Sequence, residues 1–328
     1  MAPARQTPPA TATPAAQVRQ VEVGERGAGQ RLDNFLGKIL TDVPRSHVFR
    51  VIRKGEVRVN GKRAKPETRL QASDIVRVPP VRVGDAAPPR RAPPAMVAGV
   101  TGAIVFEDPR LLVIDKPAGV AVHGGSGVSF GVIEALRAAR PDEELELAHR
   151  IDRETSGILL VARKPAALRT LHALLREGQV QKRYLALVKG KWELGRKRIN
   201  VPLRTDIRVG GERTVKADAS GKEAASVFKP VQFFGKRATL VEVELETGRT
   251  HQIRVHAAHA GYPLAGDEKY GDEEFNEKMR EFGLTRMFLH AHQVSFTWPE
   301  TGNEFSVNAP LPRELAAVID KLGDKVRK

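Results

Sequence analysis

The chain of 328 residues contains no cysteine, which excludes disulfide bonds and thiolate metal sites. Aromatic residues make up only 5% of it, and no apolar run approaches the ~20 residues of a membrane-spanning helix. The amino terminus lacks the apolar core of a signal peptide. We therefore expect a cytoplasmic protein without a membrane partner, and a reducing compartment fits the lack of cysteine without being required by it.

Negative charge is also scarce. The 39 acidic residues face 54 lysines and arginines, so the net charge is +15. Such a balance suits a polyanionic partner, and nucleic acid is the first candidate. A membrane surface is the weaker alternative, because no helical pattern sets its basic residues opposite a broad apolar face. The length favours about two domains, each large enough for its own core.

Proline marks the divisions of the chain. Residues 1–20 form a Pro/Ala-rich tail with almost nothing to bury, so disorder is predicted there. A second proline-rich stretch predicts an extended linker over residues 81–98. The linker separates a small domain, residues 21–80, from a large domain, residues 99–328.

The small domain has a helical pattern from Leu32 to Leu40, and a second pattern that Ser46 can cap and Gly55 can end. Asn60-Gly61 then predicts a tight hairpin. Residues 29–80 hold twelve basic and five acidic residues, a net charge of +7. A solvated helix face usually mixes the two signs, so the excess favours polyanion binding over an ordinary surface.

These two helices and the run Arg-Lys-Gly-Glu-Val-Arg-Val-Asn-Gly-Lys at 53–62 resemble the alpha-L RNA-binding module. The resemblance implies structured RNA as a ligand but names no reaction, because the module occurs beside different activities. Eight basic residues are the candidate RNA contacts: Arg31, Arg45, Arg50, Arg53, Lys54, Arg58, Lys62 and Arg63.

In the large domain the predicted strands cluster instead of alternating strictly with helices. We expect an α+β fold with a mixed, largely antiparallel sheet. A strand is predicted at 239–245, and since apolar and acidic side chains alternate over residues 241–246, only one of its faces should be buried. Near residue 250, Thr250 is a candidate helix cap that would share a helix face with Arg254. The predicted strands are 103–106, 111–114, 184–188, 227–234 and 239–245, and the predicted helices are 130–140 and 165–178.

The densest chemistry lies at residues 149–157, His-Arg-Ile-Asp-Arg-Glu-Thr-Ser-Gly, between two predicted strands. The acid at its centre, Asp152, lies between Arg150 and Arg153, which favours the ionised carboxylate. A charged aspartate suits a nucleophile or a base better than a general acid. The segment alone is equally compatible with a surface turn in which polar side chains bond nearby backbone groups.

Other polar segments give weaker signals. Lys116-Pro117-Ala118-Gly119 and the glycines after His123 lack the spacing of a nucleotide-binding loop. His251, His256 and His259 match no zinc pattern, so we expect no metal. Glu154-Thr155-Ser156-Gly157 is not the nucleophile elbow of a hydrolase. Tyr184 opens a predicted strand, where it can stack on a base or be a plain core residue.

Taken together, the segments resemble the RluA-type pseudouridine synthases, which carry His-Arg-Leu/Ile-Asp-Arg-x-Thr-Ser-Gly around the catalytic aspartate. Matching runs also occur at 115–119, 121–127, 182–188 and 247–256, in the expected order. The departures from the family's pattern are mild. Ile151 stands where leucine is commoner, Asp115 where asparagine is common, and Gln181 where an acid is frequent. The resemblance implies a pseudouridine synthase catalytic domain.

The same resemblance implies the roles of single residues. Asp152 would be the catalytic nucleophile or base, and Arg254 would pair with it. Tyr184 would stack on the flipped uracil, Ile253 would supply an apolar wall, and Arg150 would lie at the site. The implied substrate is large-subunit ribosomal RNA, free or in a pre-ribosomal particle, with no cofactor and a monomeric enzyme.

Two other classes compete with this interpretation. A non-catalytic RNA-binding or ribosome-assembly protein would explain the charge and the small domain, but not the combination of Asp152, Tyr184 and Arg254. An RNA N-glycosidase would use similar carboxylate chemistry and would release free base.

Overall fold

The computed structural model describes residues 18–40, 43, 45–80, 92–125, 128–207 and 213–327. Most of the predicted tail and of the predicted linker therefore lies outside the described residues. The chain divides into two compact units, Met1–Arg90 and Arg91–Lys328. Each unit has its own buried core.

The first unit packs two helices on a small sheet whose strand order is β1-β4-β2-β3. The helices bury one apolar stripe each, with Leu32 and Leu36 from the first and Val48 and Ile52 from the second. Its elements are β1 (Arg19–Glu22), α1 (Leu32–Ile39), α2 (Arg45–Lys54), β2 (Arg58–Val59), β3 (Lys62–Arg63) and β4 (Ile75–Val78).

Two sequence predictions for this unit were wrong at their edges. The strand β1 begins at Arg19, so residues 19 and 20, predicted as the end of a disordered tail, belong to a strand. The helix α2 begins at Arg45, which places Ser46 in its first turn rather than at its cap. The predicted hairpin is present: Val59 pairs with Lys62, and Asn60 and Gly61 have φ of 49° and 74°.

The second unit begins with a helix where the linker was predicted. The helix α3 starts at Pro94, a residue type well suited to the first helical turn, so residues 94–98 are not extended. The elements are α3 (Pro94–Gly102), β5 (Ile104–Glu107), β6 (Leu111–Lys116), α4 (Val132–Ala139), β7 (Glu146–Leu147), β8 (Ser156–Ala162), α5 (Pro165–Arg176), β9 (Gln181–Lys189), β10 (Lys197–Asn200), β11 (Leu203–Ile207), β12 (Arg213–Ala217), β13 (Ala225–Phe234), β14 (Ala238–Leu245), α6 (Gln252–His259), α7 (Glu273–Glu281), β15 (Leu289–Thr297), β16 (Glu304–Asn308) and α8 (Arg313–Arg327).

Within the described residues, ten of these strands form one sheet in the order β10-β13-β14-β9-β15-β8-β6-β5, with β16 beside β15 and β7 beside β8. The contact of β15 with β8 is parallel, and the other pairings described for this sheet are antiparallel. This arrangement confirms the predicted α+β class with a mixed, largely antiparallel sheet.

The sheet is buried on both faces over much of its centre. One core cluster contains residues of β6, β8, β9 and β14 with α4 and α6, and others lie under α5 and under α7 and α8. In β14 the first four residues, Ala238–Val241, are all buried, so the prediction of one buried face fails for that half. In the described part of the chain, no helix combines the length and apolar character needed to cross a membrane.

Candidate active site

Asp152 lies in the short connection that leads from β7 into β8. The connection is held by its own main chain, since Thr155 N–H donates to the Asp152 carbonyl at 3.2 Å. It is also joined to the loop after β6: Gly119 N–H donates to the Arg153 carbonyl at 2.8 Å, and Arg153 Nε donates to the Gly119 carbonyl at 2.9 Å. The Asp152 side chain remains 23% exposed, so a ligand can reach its carboxylate.

Lys116 fastens the same two loops from inside the protein. Its fully buried ammonium donates to the carbonyls of Pro117 and Val120 at 2.8 Å and of Arg153 at 3.0 Å. Burial lowers the pKa of Lys116 to about 7, while the charges of Glu154 and Asp152 oppose that shift. Three carbonyl partners require three N–H donors, which only the ammonium form has.

Arg254 projects from α6 between two carboxylates. Its Nε and Nη2 each donate to Asp267 at 2.7 Å, and its Nη1 lies 3.6 Å from Asp152 Oδ2. Its side chain is 9% exposed and that of Asp267 is 1% exposed. Burial favours the neutral form of Asp267, but the Arg254 hydrogen bonds and charge outweigh it and lower the pKa of Asp267.

The start of α6 differs from the predicted one. Its first helical residue is Gln252, and the preceding His251 is left-handed, with φ of 53°. Thr250 therefore neither caps the helix nor shares a face with Arg254. Instead, Gln252 Oε1 accepts hydrogen bonds from Thr247 Oγ1 at 2.7 Å and Arg249 N at 3.0 Å, which fixes the turn into the helix.

Three buried apolar or aromatic residues lie beside Asp152 or Arg254 in the chain or respond to the charge of Asp152. Ile151, Tyr184 and Ile253 are buried and belong to one core cluster. Burial raises the pKa of the Tyr184 phenol, and the negative charge of Asp152 raises it further. Tyr184 is therefore a neutral phenol within electrostatic reach of Asp152.

Comparison with known proteins decides the family. Residues 110–259 match the family RNA pseudouridylate synthase, and residues 30–76 match the S4 domain. A ribosomal large subunit pseudouridine synthase C from Pasteurella multocida is 51% identical, over 94% of this chain and 95% of its own. One from Escherichia coli is 49% identical, over 95% and 98%. The chain belongs to the RNA pseudouridylate synthase family.

Solved structures agree with that assignment. Human RNA Pseudouridylate Synthase Domain Containing 1 is 27% identical, with a TM-score of 0.55 over 69% of this chain and 94% of its own. Human RNA Pseudouridylate Synthase Domain Containing 4 shares the fold, at 24% identity and a TM-score of 0.56, over 70% of this chain and 96% of its own. The synthase fold and the isomerase activity expected from the sequence are confirmed.

The predicted role of Arg150 stays a prediction. Its side chain is exposed, two positions before Asp152, and no hydrogen bond or ion pair connects it to another described residue. Sequence reasoning missed two residues that hold Arg254: Asp267, and Tyr270, whose ring centre lies 4.9 Å from the Arg254 Cζ. The sequence does mark the turn before Asp267 with a glycine. Gly266 has φ of 71°, a main-chain conformation that favours glycine.

Two of the three histidines that match no zinc pattern have partners within the protein. His256 is buried, with Nε2 donating to the Val201 carbonyl at 3.0 Å and Nδ1 3.1 Å from Ser226 Oγ. His251 Nδ1 lies 2.8 Å from the Tyr270 hydroxyl. Across the described ranges, no cluster of three or more histidines, aspartates and glutamates could hold a metal ion.

The candidate RNA contacts of the S4 domain lie on α2 and on the β2–β3 hairpin, except for Arg31, which precedes α1. Arg31 is bound to Asp33 at 2.7 Å, so its charge is partly compensated. Arg53, Arg58, Lys62 and Arg63 are exposed. Arg50 and Lys54 are exposed as well, whereas the side chain of Arg45 lies outside the described part of the structure.

Proposed function

We propose that this chain converts specific uridines of large-subunit ribosomal RNA to pseudouridine, with Asp152 as the catalytic residue. The names of the two bacterial relatives support the choice of RNA, as do the S4 domain and the net charge of +15. The RNA is free or part of a pre-ribosomal particle, and the enzyme acts as a cytoplasmic monomer. In this proposal the S4 domain anchors the RNA, and the chain after the linker carries out the reaction.

One observation carries the proposal. The accessible Asp152 carboxylate lies beside the buried Arg254 guanidinium, which Asp267 holds in place. Asp267 takes two of the guanidinium nitrogens and leaves Nη1 directed toward Asp152. A free aspartate, with a pKa of about 3.9, is already ionised at neutral pH. Arg254 therefore orients a charged group whose position is set before RNA arrives.

The reaction needs few participants. The N1–C1′ bond of the uridine breaks, the uracil turns, and a C5–C1′ bond forms at the same sugar carbon. The C5 proton is lost and N1 gains one, so atoms and electrons balance without a redox step or a cofactor. Asp152 either attacks C1′ or removes the 2′ proton so that a glycal forms, and both routes use the carboxylate.

Tyr184 and Ile253 give the detached uracil a surface to rest on. A nucleotide must leave its stack to reach a recessed carboxylate, which costs a few kcal/mol. Stacking on an aromatic ring returns about 1–3 kcal/mol per base. Tyr184 can provide this contact without adding charge beside Asp152, because its phenol is neutral.

Product analysis tests the proposal. Large-subunit rRNA transcript tritiated at uracil C5 is incubated with the enzyme, beside Asp152→Asn and Asp152→Ala variants. Tritium release by the wild type alone, with all uracil still in the chain, is expected. Release of free uracil would instead indicate an N-glycosidase, and tight binding without release would indicate a non-catalytic RNA-binding protein. Turnover by the Asp152 variants would remove Asp152 from the mechanism.

A further inference from the structure

Lys182 is a largely buried lysine on β9. Its side chain lies on the same face of the strand as that of Tyr184, two residues further along, and the residue is only 9% exposed. Burial alone lowers the pKa of Lys182. Lysine is rarely buried to this extent unless a partner compensates its charge.

No such partner is present in the described part of the chain: no hydrogen bond or ion pair reaches the Lys182 ammonium. Two other lysines of the domain do have partners. Lys116 donates to three carbonyls, and Lys189, on the same strand, binds Asp272 at 2.6 Å. The Lys182 charge does act on His149. Burial is the main cause that lowers the pKa of His149 to about 3, and the positive charge of Lys182 is the second cause. A neutral imidazole does not balance an ammonium.

The free ammonium lies next to a basic cleft. A Cβ placed on Gly248 would lie 3.6 Å from Lys182 Nζ, and Gly248 lines a cleft of about 510 Å³. Lys222 and Arg249 also line it. Arg204, at the same cleft, already binds Asp206 and Asp218, so its charge is compensated. Lys222 and Arg249 show no ion pair with another described residue, and Arg249 has only a carbonyl hydrogen bond from Nε to Glu223.

We propose that Lys182, with Lys222 and Arg249, binds a phosphate of the RNA backbone next to the target uridine. Same-face residues of a strand are about 6.5 Å apart, so a phosphate on Lys182 lies within one nucleotide of a uracil on Tyr184. A phosphate supplies the anion that the largely buried Lys182 side chain lacks and that the nearby cations also favour. This inference rests on the proposed function, because it names the substrate group that the site holds.

The test measures RNA affinity against salt. Large-subunit rRNA transcript is titrated with the Asp152→Asn protein, so that no turnover occurs, at several KCl concentrations. Adding Lys182→Met keeps the aliphatic stem and removes the charge. We expect about tenfold or more weaker binding at low salt, and a salt slope smaller by about 0.7–0.9, the loss of one phosphate contact.

Gly248→Asp provides a second, independent variant. Its carboxylate would sit against the Lys182 ammonium and occupy the place of the phosphate, so the same losses are expected. Gly248→Ala is the matched control, because its Cβ meets Lys182 Nζ only at ordinary contact distance. Lys236→Met, in the exposed turn at the far end of β13 and β14, removes the same charge elsewhere and should leave affinity and slope close to those of the parent.

Stability and turnover separate the alternatives. Removing an unpaired buried ammonium should not lower the melting temperature. Unchanged affinity and slope in both Lys182→Met and Gly248→Asp would overturn the inference. So would a loss of turnover in Lys182→Met with unchanged binding, which would indicate a role in the chemistry. Tritium release by the wild type tests the proposed function separately, since the binding titration does not require turnover.

Discussion

Asp267 binds Arg254 through two parallel hydrogen bonds of 2.7 Å, while the same guanidinium stays 3.6 Å from the Asp152 carboxylate. The pair of Arg254 with Asp267, which has the shorter distances, is therefore the one further from solvent. Arg254 is fixed by Asp267 and the Tyr270 ring, and it presents its remaining nitrogen to Asp152. If Asp152 is catalytic as proposed, the position of its carboxylate depends on Asp267 through Arg254.

Asp267→Asn should separate positioning from binding. The variant leaves a largely buried arginine without its anion, which costs about 3–5 kcal/mol of unfolding free energy. Turnover should fall while affinity for RNA is nearly kept, as measured by tritium release at saturating RNA, by titration, and by urea unfolding. Asp320→Asn, on the exposed face of α8, is the control and should change stability by no more than about 0.5 kcal/mol. Full turnover in Asp267→Asn would show that Arg254 needs no support.

Tyr184→Phe and Tyr184→Leu should differ. Phenylalanine keeps the ring, so we expect most of the activity to remain. Leucine removes the aromatic face and should cost about 1–3 kcal/mol of stacking, roughly a tenfold to hundredfold loss in kcat/KM. If phenylalanine is as damaging as leucine, the hydroxyl rather than the ring is what the reaction uses.

Gly157→Ala should destabilise the protein strongly. Gly157 has φ of 107°, and an added Cβ would collide with the main-chain carbonyl of Ala291, where β8 and β15 pair. We expect a loss of about 2–4 kcal/mol, because strain and overpacking add. Gly99→Ala, in α3 with open space around it, is the matched control and should gain about 0.5–1 kcal/mol. Thermal or urea unfolding compares the two, and equal stabilities would contradict the steric argument.

His290→Gln should flatten the acid limb of the stability curve. Burial, reinforced by the charge of Arg286, lowers the pKa of His290 from 6.5 to about 4, against the opposing effect of the bond to the Ala309 carbonyl. Between those pH values the unfolded chain binds a proton here and the folded protein does not, so stability falls as pH falls. The wild type should therefore lose about 1.4 kcal/mol more per pH unit than the variant across this window. Urea unfolding from pH 4.5 to 7.5 measures it, and parallel curves would exclude His290 as a contributor.

Arg53→Gln and Lys62→Gln should each weaken RNA binding by the S4 domain in a salt-dependent way. Both side chains are exposed, on α2 and β3. Each lost phosphate contact lowers the slope of log affinity against log salt by about 0.7–0.9. Titration of large-subunit rRNA transcript at several salt concentrations measures the slope, with Lys236→Gln as the control. Slopes equal to that of the wild type would place the RNA on another face of this domain.

The sequence predicted the candidate residues that lie within recognisable motifs. It missed the residues that come together only in the folded structure. Asp152, Tyr184 and Arg254 lie in polar runs next to strong apolar strands, so pattern and resemblance both pointed to them. Asp267 lies thirteen positions after Arg254, in a turn that no periodic pattern marks. Its role arises because Gly266 bends the chain back toward α6.

Main-chain conformation explains the remaining errors. The capping rule selected Thr250, yet α6 begins at Gln252 after the left-handed His251, and the Gln252 side chain bonds the preceding turn instead. Lys116 stood out only as part of a polar run. Its three carbonyl partners come from two loops whose approach depends on the folded sheet.

Lys116 joins the two loops through three hydrogen bonds inside the folded protein. The segment around Asp152 reaches its final shape as the protein folds, so its conformational entropy is already lost before RNA arrives. On the proposed function, we expect RNA binding to require little rearrangement of the enzyme at this point. The main conformational change would then fall on the nucleotide, which must leave its stack, so we expect the ease with which a uridine unstacks to help determine which uridines react.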